Sequence, residues 1–404
     1  MNILFIVLDG LGDERIKQFG NKSPLEKART PHLDYLAKKG ITGLMEPCYT
    51  AAIPTSEEGH FSLFGYHPKA LTIKRGIFTV RGAGMKVRSG DVALRGNFST
   101  VDKNFNIIDR RAGRIQNTKS LIKSLNGIKI NNVKVLIKPA GQHRLGIILR
   151  GKNLSCRISD GDPFYSTLGK RVKKIIPLDK SSKSAFTAGI LNEFLKRSHQ
   201  ILKNHPLNKK RKKLGLPVAN YILVRGASSP QKLVSFKKRY GFKACCIAGK
   251  ILYQQIAKAL GMKLIKVKGA NGLVSTNLKG KIQTAKKALK NYGFVFLHIK
   301  ATDSLAEDGN FSGKRDFIEK IDKNMKPLLG LKHILIVVTA DHSTCSLLKR
   351  HCKNPIPLLI YGTGPDSVER FSERACKKGK LGKIKQVDLM SKILRLIKKH
   401  KRRC

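Results

Sequence analysis

ILIVVTADHSTCSLL, residues 334–348, is the stretch whose reading decides the fold. It opens as an apolar, β-branched run, the pattern of a strand buried on both faces. The run stops abruptly at Thr339-Ala340-Asp341-His342-Ser343-Thr344. A carboxylate and an imidazole side by side just past a buried strand lie where open α/β sheets place their ligand sites. Asp and His are also common donors to divalent cations. Alone, the pair is a weak signal that a capped turn explains more simply, so the decision passes to the rest of the chain.

Residues 3–8 repeat the pattern, an apolar strand ending in Asp9-Gly10. An Asx-turn would account for that Asp, and a ligand site at the edge of a parallel sheet would account for it as well. Residues 53–66, IPTSEEGHFSLFGY, place Ser56 where a helix begins, as its expected N-cap, with Glu57 and Glu58 in the first turn. The same position exposes a hydroxyl beside backbone N–H donors and the positive end of the helix dipole, a setting that suits attack on a phosphate. A cation holding Ser56 as an alkoxide would supply a nucleophile that water alone does not give at neutral pH. Beyond a strand at 293–297, Asp303 and Glu307 share one helical face at i, i+4, and His351 follows the Asp341-His342 pair.

Further strands at 221–224, 244–247, 263–267 and 294–298 alternate with helical stretches. This rhythm predicts an α/β fold with a mostly parallel sheet and helices on both faces. In such a sheet the strand ends converge, and Asp9, Ser56, Asp303, Glu307, Asp341, His342 and His351 come with them. That many acidic and imidazole groups around one serine require cations to offset their repulsion, and two divalent metal ions are expected.

Between about 82 and 162 the character changes to short alternating strands, such as 92–98 and 145–149. Arginines concentrate here: Arg95, Arg110, Arg111 and Arg114, then His143-Arg144. The planar guanidinium grips phosphate or carboxylate with a fork, although charge on a hairpin edge is also a simple way to keep that edge solvated. A smaller α+β domain is therefore expected at 82–164, inserted into a phosphatase-like domain formed by 1–81 and 165–404. Residues 208–213, NKKRKK, read as an exposed basic loop. Residues 389–403 read as a basic amphipathic helix packed on the sheet.

The 404-residue chain carries 81 Lys+Arg against 26 Asp+Glu, a formal charge of +55. The excess is spread along the whole chain, is mostly Lys, and comes with 6% aromatic residues and no Trp, so stacking platforms for single strands are scarce. A solvated basic surface is expected rather than a nucleic-acid partner. The eight cysteines form no CxxC, which suggests reduced thiols in a cytosolic protein rather than a disulfide framework or zinc ribbon. The N-terminus has no basic region before its short apolar run, and no stretch approaches the roughly 20 apolar residues of a membrane span.

The ordered motifs VLDGLGD, TPHLDYLA, SEEGHFSLFGY, RGNFSTVD with IIDRRAGR, SDGDP, LNEFLKRSHQIL, HIKATD, and TADHST with His351 and PIPLLIYG run nearly end to end. Together they resemble the archaeal type of cofactor-independent phosphoglycerate mutase, in the alkaline phosphatase superfamily. The resemblance implies a phosphatase-like α/β domain with a smaller inserted one. It implies one metal on Asp9, Ser56, Asp341 and His342, a second on Asp303, residue 307 and His351, and Ser56 as a nucleophile cycling through phosphoserine. Manganese or magnesium is expected, with cobalt or zinc as alternatives, and no 2,3-bisphosphoglycerate. Arg95, Arg110, Arg111, Arg114, His143 and Arg144 are the matching candidates for holding 2- or 3-phosphoglycerate. Asp109 and His143 are candidates for the general acid. Two positions depart from the family pattern. Glu307 stands where the family usually has a metal-binding His, which suits a harder cation, and Thr55 stands where it commonly has Gly. A hydrolase or mutase of the same superfamily acting on another phosphoester or a phosphonate is the alternative. The sequence leaves monomer and homo-oligomer equally open.

Overall fold

The computed structural model describes residues 1–49, 53–163 and 169–401, so Cys404 and the last residues of the expected C-terminal helix lie outside the described residues. The apolar runs form the centre of an eight-stranded sheet. Its order is Lys263–Leu264, Ala244–Ile247, Phe294–Ile299, Asn2–Leu8, Ile334–Thr339, Ile356–Tyr361, Gly40–Glu46, Lys383–Lys385. Ile356–Tyr361 pairs antiparallel with both of its neighbours, and every other pairing is parallel. Ile3 to Leu8 are fully buried, which is why this strand shows no polar alternation. The helix Phe311–Met325 buries Phe317, Ile318, Ile321 and Met325, spaced three to four apart along one face. The C-terminal helix Leu389–Lys401 likewise buries Leu389, Met390, Ile393 and Ile397. The α/β architecture expected from sequence, a mostly parallel sheet with helices on both faces, is the one found.

Two compact units divide the chain: Met1–Ala70 with Leu233 onward, and Leu71–Lys232. The second is larger than the 82–164 insertion read from sequence, and two elements, a strand and a long helix, make up much of the difference. Tyr221–Ser228, assigned from sequence to the parallel sheet, instead pairs antiparallel with Val92–Val101. It joins an antiparallel sheet with Ile107–Asp109, Arg144–Arg150, Val133–Pro139 and Lys129–Ile130. The helix Ser182–Asn204 then places Leu191, Phe194, Leu195 and Leu202 in the same core as Leu94, Phe98, Leu145 and Ile147. A short apolar run specifies a strand but not the sheet it joins.

Two local readings change as well. NKKRKK is helical, within Pro206–Lys213: Pro206 occupies the first turn and His205 Nδ1 accepts from the Leu207 N–H at 3.1 Å. The buried Asn208 amide bonds the Leu202 and Ala219 carbonyls, both at 2.9 Å, so this basic stretch is anchored from its one inward residue. Cysteine usage is the second change. Cys345 and Cys352 form a disulfide, while Cys48, Cys156, Cys245, Cys246 and Cys376 are free. Their seven-residue separation is no recognised spacing, and only the hairpin between them brings the sulfurs together.

The packing of Ser182–Asn204 makes Phe194 a test of where the second unit ends. Phe194→Ala is expected to lower unfolding stability by about 3–5 kcal/mol, read by urea denaturation. An unchanged midpoint would remove this helix from the core.

Candidate metal centre

The register of three neighbouring strands sets up the centre. Leu8 pairs with Ile299 and Val7 with Thr339, so the next residues, Asp9, Lys300 and Asp341, stand level just past the strand ends. All three carboxylates brought here, Asp9, Asp341 and Asp303, are fully buried. Asp303 comes from the first turn of Ala301–Glu307, the helix that follows Lys300 directly.

Two groups of donors converge, each with its ligand atoms within 4.8 Å of one another: Asp9, Asp341 and His342, and Asp303, His342 and His351. His342 is common to both. Its Nε2 lies 3.2 Å from Asp341 Oδ2 and 3.6 Å from Asp9 Oδ1. The His342 and His351 rings stack with centroids 3.6 Å apart. His351 Nδ1 donates to the Pro54 carbonyl at 2.7 Å, which turns Nε2 inward, 3.3 Å from Asp303 Oδ1. Glu307 sits at the rim, Oε1 3.8 Å from His351 Nε2, with its side chain 37% exposed. It is not part of either compact group.

Ser56 Oγ lies 3.4 Å from His342 Nε2. Sequence reasoning made Ser56 the helix cap, but the structure gives that task to Thr55, whose hydroxyl accepts from the Glu58 N–H while Ser56 is the first helical residue of Ser56–Leu63. The Thr in place of the family's Gly therefore has a structural role, and the serine hydroxyl is left over for the centre. Gly59 lets this helix sit against the Asp341 turn, since a Cβ there would come 2.4 Å from the Asp341 carbonyl oxygen. His60, one turn on, bonds the Ser56 carbonyl at 2.7 Å and lies 3.3 Å from Asp341 Oδ2, coupling the serine's helix to the carboxylate.

Three carboxylates in a dry site need counter-charge. Lys300, which sequence reasoning passed over inside HIKATD, supplies part of it. Its ammonium bonds Asp9 Oδ1 at 3.1 Å and also Asp303 Oδ2. Burial disfavours the Lys300 charge, but Asp303 and Asp9 outweigh it and hold the ammonium well above its ordinary pKa. Burial raises Asp9, and the Asp341 charge adds to that. Burial also opposes the Asp303 charge, yet Lys300 and His351 hold it well below the usual carboxylate range. Burial pushes His342 down to about 4, leaving a neutral ring with a lone pair to give. His351 is pushed up to about 9, because Asp303 and Glu307 outweigh its burial. Asp341 Oδ2 accepts no hydrogen bond among the described residues. Buried carboxylates, an orphaned carboxylate oxygen and inward Nε2 atoms form a donor set that fits divalent cations.

A further ring of residues orients these groups. His298 Nε2 meets Asp9 Oδ2 at 2.9 Å and stacks on Tyr253 at 3.5 Å. Thr344 donates to Asp303 Oδ1 at 2.7 Å. Lys314, fully buried, bonds the carbonyls of Gly10, Gly12 and Thr344 at 2.9, 3.2 and 3.0 Å and Asp13 Oδ2 at 2.9 Å. One ammonium thereby ties the loop after Asp9 to the strand after His342. No periodicity announces such a lysine, and an apolar residue would serve the helix face as well.

Within the second unit, several of the arginines read from sequence do form a cluster. Burial and the charges of Arg225, Arg75, Arg144 and Arg110 push Arg95 well below its ordinary pKa. Arg111, Arg75 and Arg114 act on Arg144 in the same direction, after burial. Asp162 takes Arg110 in a two-pronged bond at 2.8 and 2.6 Å and lies 3.7 Å from Arg225. Arg95 Nε and Arg144 Nε have no hydrogen-bond partner among the described residues. Guanidinium groups gathered with donors to spare can hold a phosphate or carboxylate. Arg75 and Arg225 were missed because each lies outside the Arg-rich runs, one at the start of a helix and one within a strand. Burial and the Arg144 and Arg95 charges push His143 down to about 3, so its ring is uncharged at neutral pH. Asp109 instead caps its own turn, accepting from the Arg111 and Gly113 N–H groups at 2.7 and 2.6 Å.

Replacing Lys314 by Met would leave the Asp13 carboxylate buried without its cation. This change is expected to cost about 3–5 kcal/mol in chemical denaturation, whereas a cost near zero would show that the lysine does not bind the two loops.

Known proteins bear on this geometry. Residues 1–395 match the metalloenzyme superfamily. A 2,3-bisphosphoglycerate-independent phosphoglycerate mutase of Methanococcus vannielii is 42% identical over 402 residues, covering 98% of each chain. One of Archaeoglobus fulgidus is 41% identical over 406 residues, again covering 98% of each. Among solved structures, a Pyrococcus horikoshii protein superposes with a TM-score of 0.79 at 31% identity, covering 98% of this chain and 97% of the other. The cofactor-independent phosphoglycerate mutase of Thermoplasma acidophilum gives a TM-score of 0.64 at 32% identity, covering 98% of this chain and 100% of the other. With a buried carboxylate–histidine centre beside a helix-terminal serine and likeness of this extent, the chain belongs to the 2,3-bisphosphoglycerate-independent phosphoglycerate mutase family of the metalloenzyme superfamily.

Proposed function

We propose that the protein is an isomerase that interconverts 2-phosphoglycerate and 3-phosphoglycerate, moving the phosphoryl group by way of a phosphoserine at Ser56. The observation that carries this reading is the placement of Ser56 Oγ, 3.4 Å from the imidazole shared by both donor groups, on a helix whose cap is already filled by Thr55. Asp9, Ser56, Asp341 and His342 would hold one divalent cation, and Asp303, Glu307 and His351 the other. Manganese or magnesium suits the carboxylate-rich second set, with cobalt or zinc as alternatives. When bound, such cations lower the pKa of the serine hydroxyl and neutralise charge on the phosphoryl oxygens.

The residues divide the remaining work. Ser56 Oγ gives up its proton and forms the bond to phosphorus as the bond to the glycerate oxygen breaks, and that oxygen takes up a proton. The other hydroxyl of the same glycerate then takes the phosphoryl group from Ser56, giving up its proton and restoring the serine. No atom is gained or lost, so no bisphosphorylated cofactor is consumed. Lys300, between Asp9 and Asp303, balances the centre's negative charge, which would otherwise repel a phosphate. We assign the arginine cluster of the second unit, Arg95, Arg110, Arg111, Arg114 and Arg144 with His143, to gripping the anionic substrate. Retention of glycerate between the two steps is what separates a mutase from a phosphatase. The reaction belongs to glycolysis and its reverse, and we place it in the cytosol. No helix among the described residues is long and apolar enough to cross a membrane.

The test is incubation of the protein and Mn2+ with labelled 3-phosphoglycerate. Interconversion without added bisphosphoglycerate, and acid-stable label on a peptide containing Ser56, are expected. Ser56→Ala should lower kcat by a factor of about 10^4 or more, as for loss of a nucleophile. Retained activity in a folded Ser56→Ala protein would overturn the mechanism. Free phosphate appearing as fast as the isomer would make the protein a hydrolase.

A further inference from the structure

The disulfide lies at the metal centre. The strand Ser343–Cys345 pairs antiparallel with Arg350–Cys352, with Ser343 opposite Cys352, Thr344 opposite His351 and Cys345 opposite Arg350. The first strand follows directly on His342 and the second contains His351, so this hairpin carries both stacked imidazoles. Thr344, which faces His351 across the ladder, also bonds Asp303 and lies 3.2 Å from His342 Nδ1.

The two strands are held unequally. The first is fastened from below: Ser346 N–H and Oγ bond Asp13, and Lys314 bonds the Thr344 carbonyl. The second has the ladder and, at His351, the bond to the Pro54 carbonyl and the ring's contacts with Asp303, Glu307 and His342. A three-residue, two-stranded ladder is marginal by itself. The connecting turn adds little packing, since Leu347 and Leu348 are 50% and 49% exposed. The disulfide is the covalent tie between the fastened strand and the one that presents His351. Asp13, Glu14 and Cys345 also lie close together, but the sulfur is bonded to Cys352 and Asp13 is taken by Lys314 and Ser346.

We propose that Cys345–Cys352 is a redox-sensitive clip on the metal centre. With the bond intact, His351 is held against His342 and the centre binds its cations tightly. With the bond reduced, the Arg350–Cys352 strand is released and affinity falls. The reductant is a dithiol. One thiolate attacks the half-buried Cys352 Sγ, since Cys345 is buried, and Cys345 leaves as a thiolate and takes a proton. The second thiol of the reductant then resolves the mixed disulfide, releasing Cys352 as a thiol. The dithiol loses two electrons and two protons, and the cysteine pair gains them. A clip of this kind also fits a chain whose other described cysteines are all free. The proposal rests on His342 and His351 being cation donors.

The experiment is a Mn2+ titration of the full-length protein, followed by electron paramagnetic resonance of free Mn2+. The protein is stripped with a chelator, then either left oxidised or reduced with a phosphine and desalted without air. The phosphine becomes its oxide, taking oxygen from water. Reduction is expected to weaken Mn2+ binding about tenfold, the scale of losing an outer support of a metal ligand. Cys352→Ser should bind at the weakened level with or without phosphine. Equal affinity of oxidised and reduced protein would overturn the clip alone. Peptide mapping that finds both cysteines as thiols in air-purified protein would do the same. Absence of Mn2+ binding in the oxidised protein would overturn the clip and the metal-centre reading together.

Discussion

Everything in the first unit is arranged around one electrostatic problem: three carboxylates, Asp9, Asp303 and Asp341, buried within reach of one another. Charge in a dry interior is costly unless it is paired. The protein gathers cationic and polar partners around these three groups. Lys300 bridges two of them, His298 and His60 attend Asp9 and Asp341, and His351 faces Asp303. A single ammonium and polarised imidazoles leave room for further positive charge, which is the physical reason for expecting divalent cations there. The serine stands where those cations would act.

The supporting structure follows from the same need. Donors can converge only if the strand ends are held level and the loops beyond them do not drift. Parallel register supplies the level. Lys314 and Asp13 fix the loop after Asp9 to the segment after His342, and Gly59 admits the Ser56 helix to the Asp341 turn. Each device is a buried polar hub or a missing side chain, and each is far in sequence from the residue it positions.

This explains which parts of the molecule were legible in the chain alone. Strand-end carboxylates after apolar runs mark themselves, so Asp9 and Asp341-His342 could be read directly. Ser56 at a helix start, Asp303 just past another strand and His351 beyond the Asp341-His342 pair could be read as candidates too, and the family motifs gave them roles. Lys300 was within reach of the same logic, since a residue one step past a central strand sits beside Asp9, yet lysine in so basic a chain draws no attention. Lys314, His298 and His60 carry no signal, because a helix or strand position that faces inward looks the same whether its side chain is apolar or hydrogen-bonded. The extent of the second unit was misread for a related reason: Tyr221–Ser228 has the composition of any buried strand, and only its pairing with Val92–Val101 reveals its sheet. The Cys345–Cys352 pairing depends on a hairpin too short for alternation to show.

The measurement that bears most directly on the central claim is anomalous diffraction from crystals grown with Mn2+. The account predicts two manganese peaks at the end of the central strands. One lies in ligand contact with Ser56 Oγ, Asp9, Asp341 and His342, the other with Asp303, Glu307 and His351. Peaks elsewhere with none at these residues, or a centre in which Ser56 Oγ contacts no cation, would contradict it.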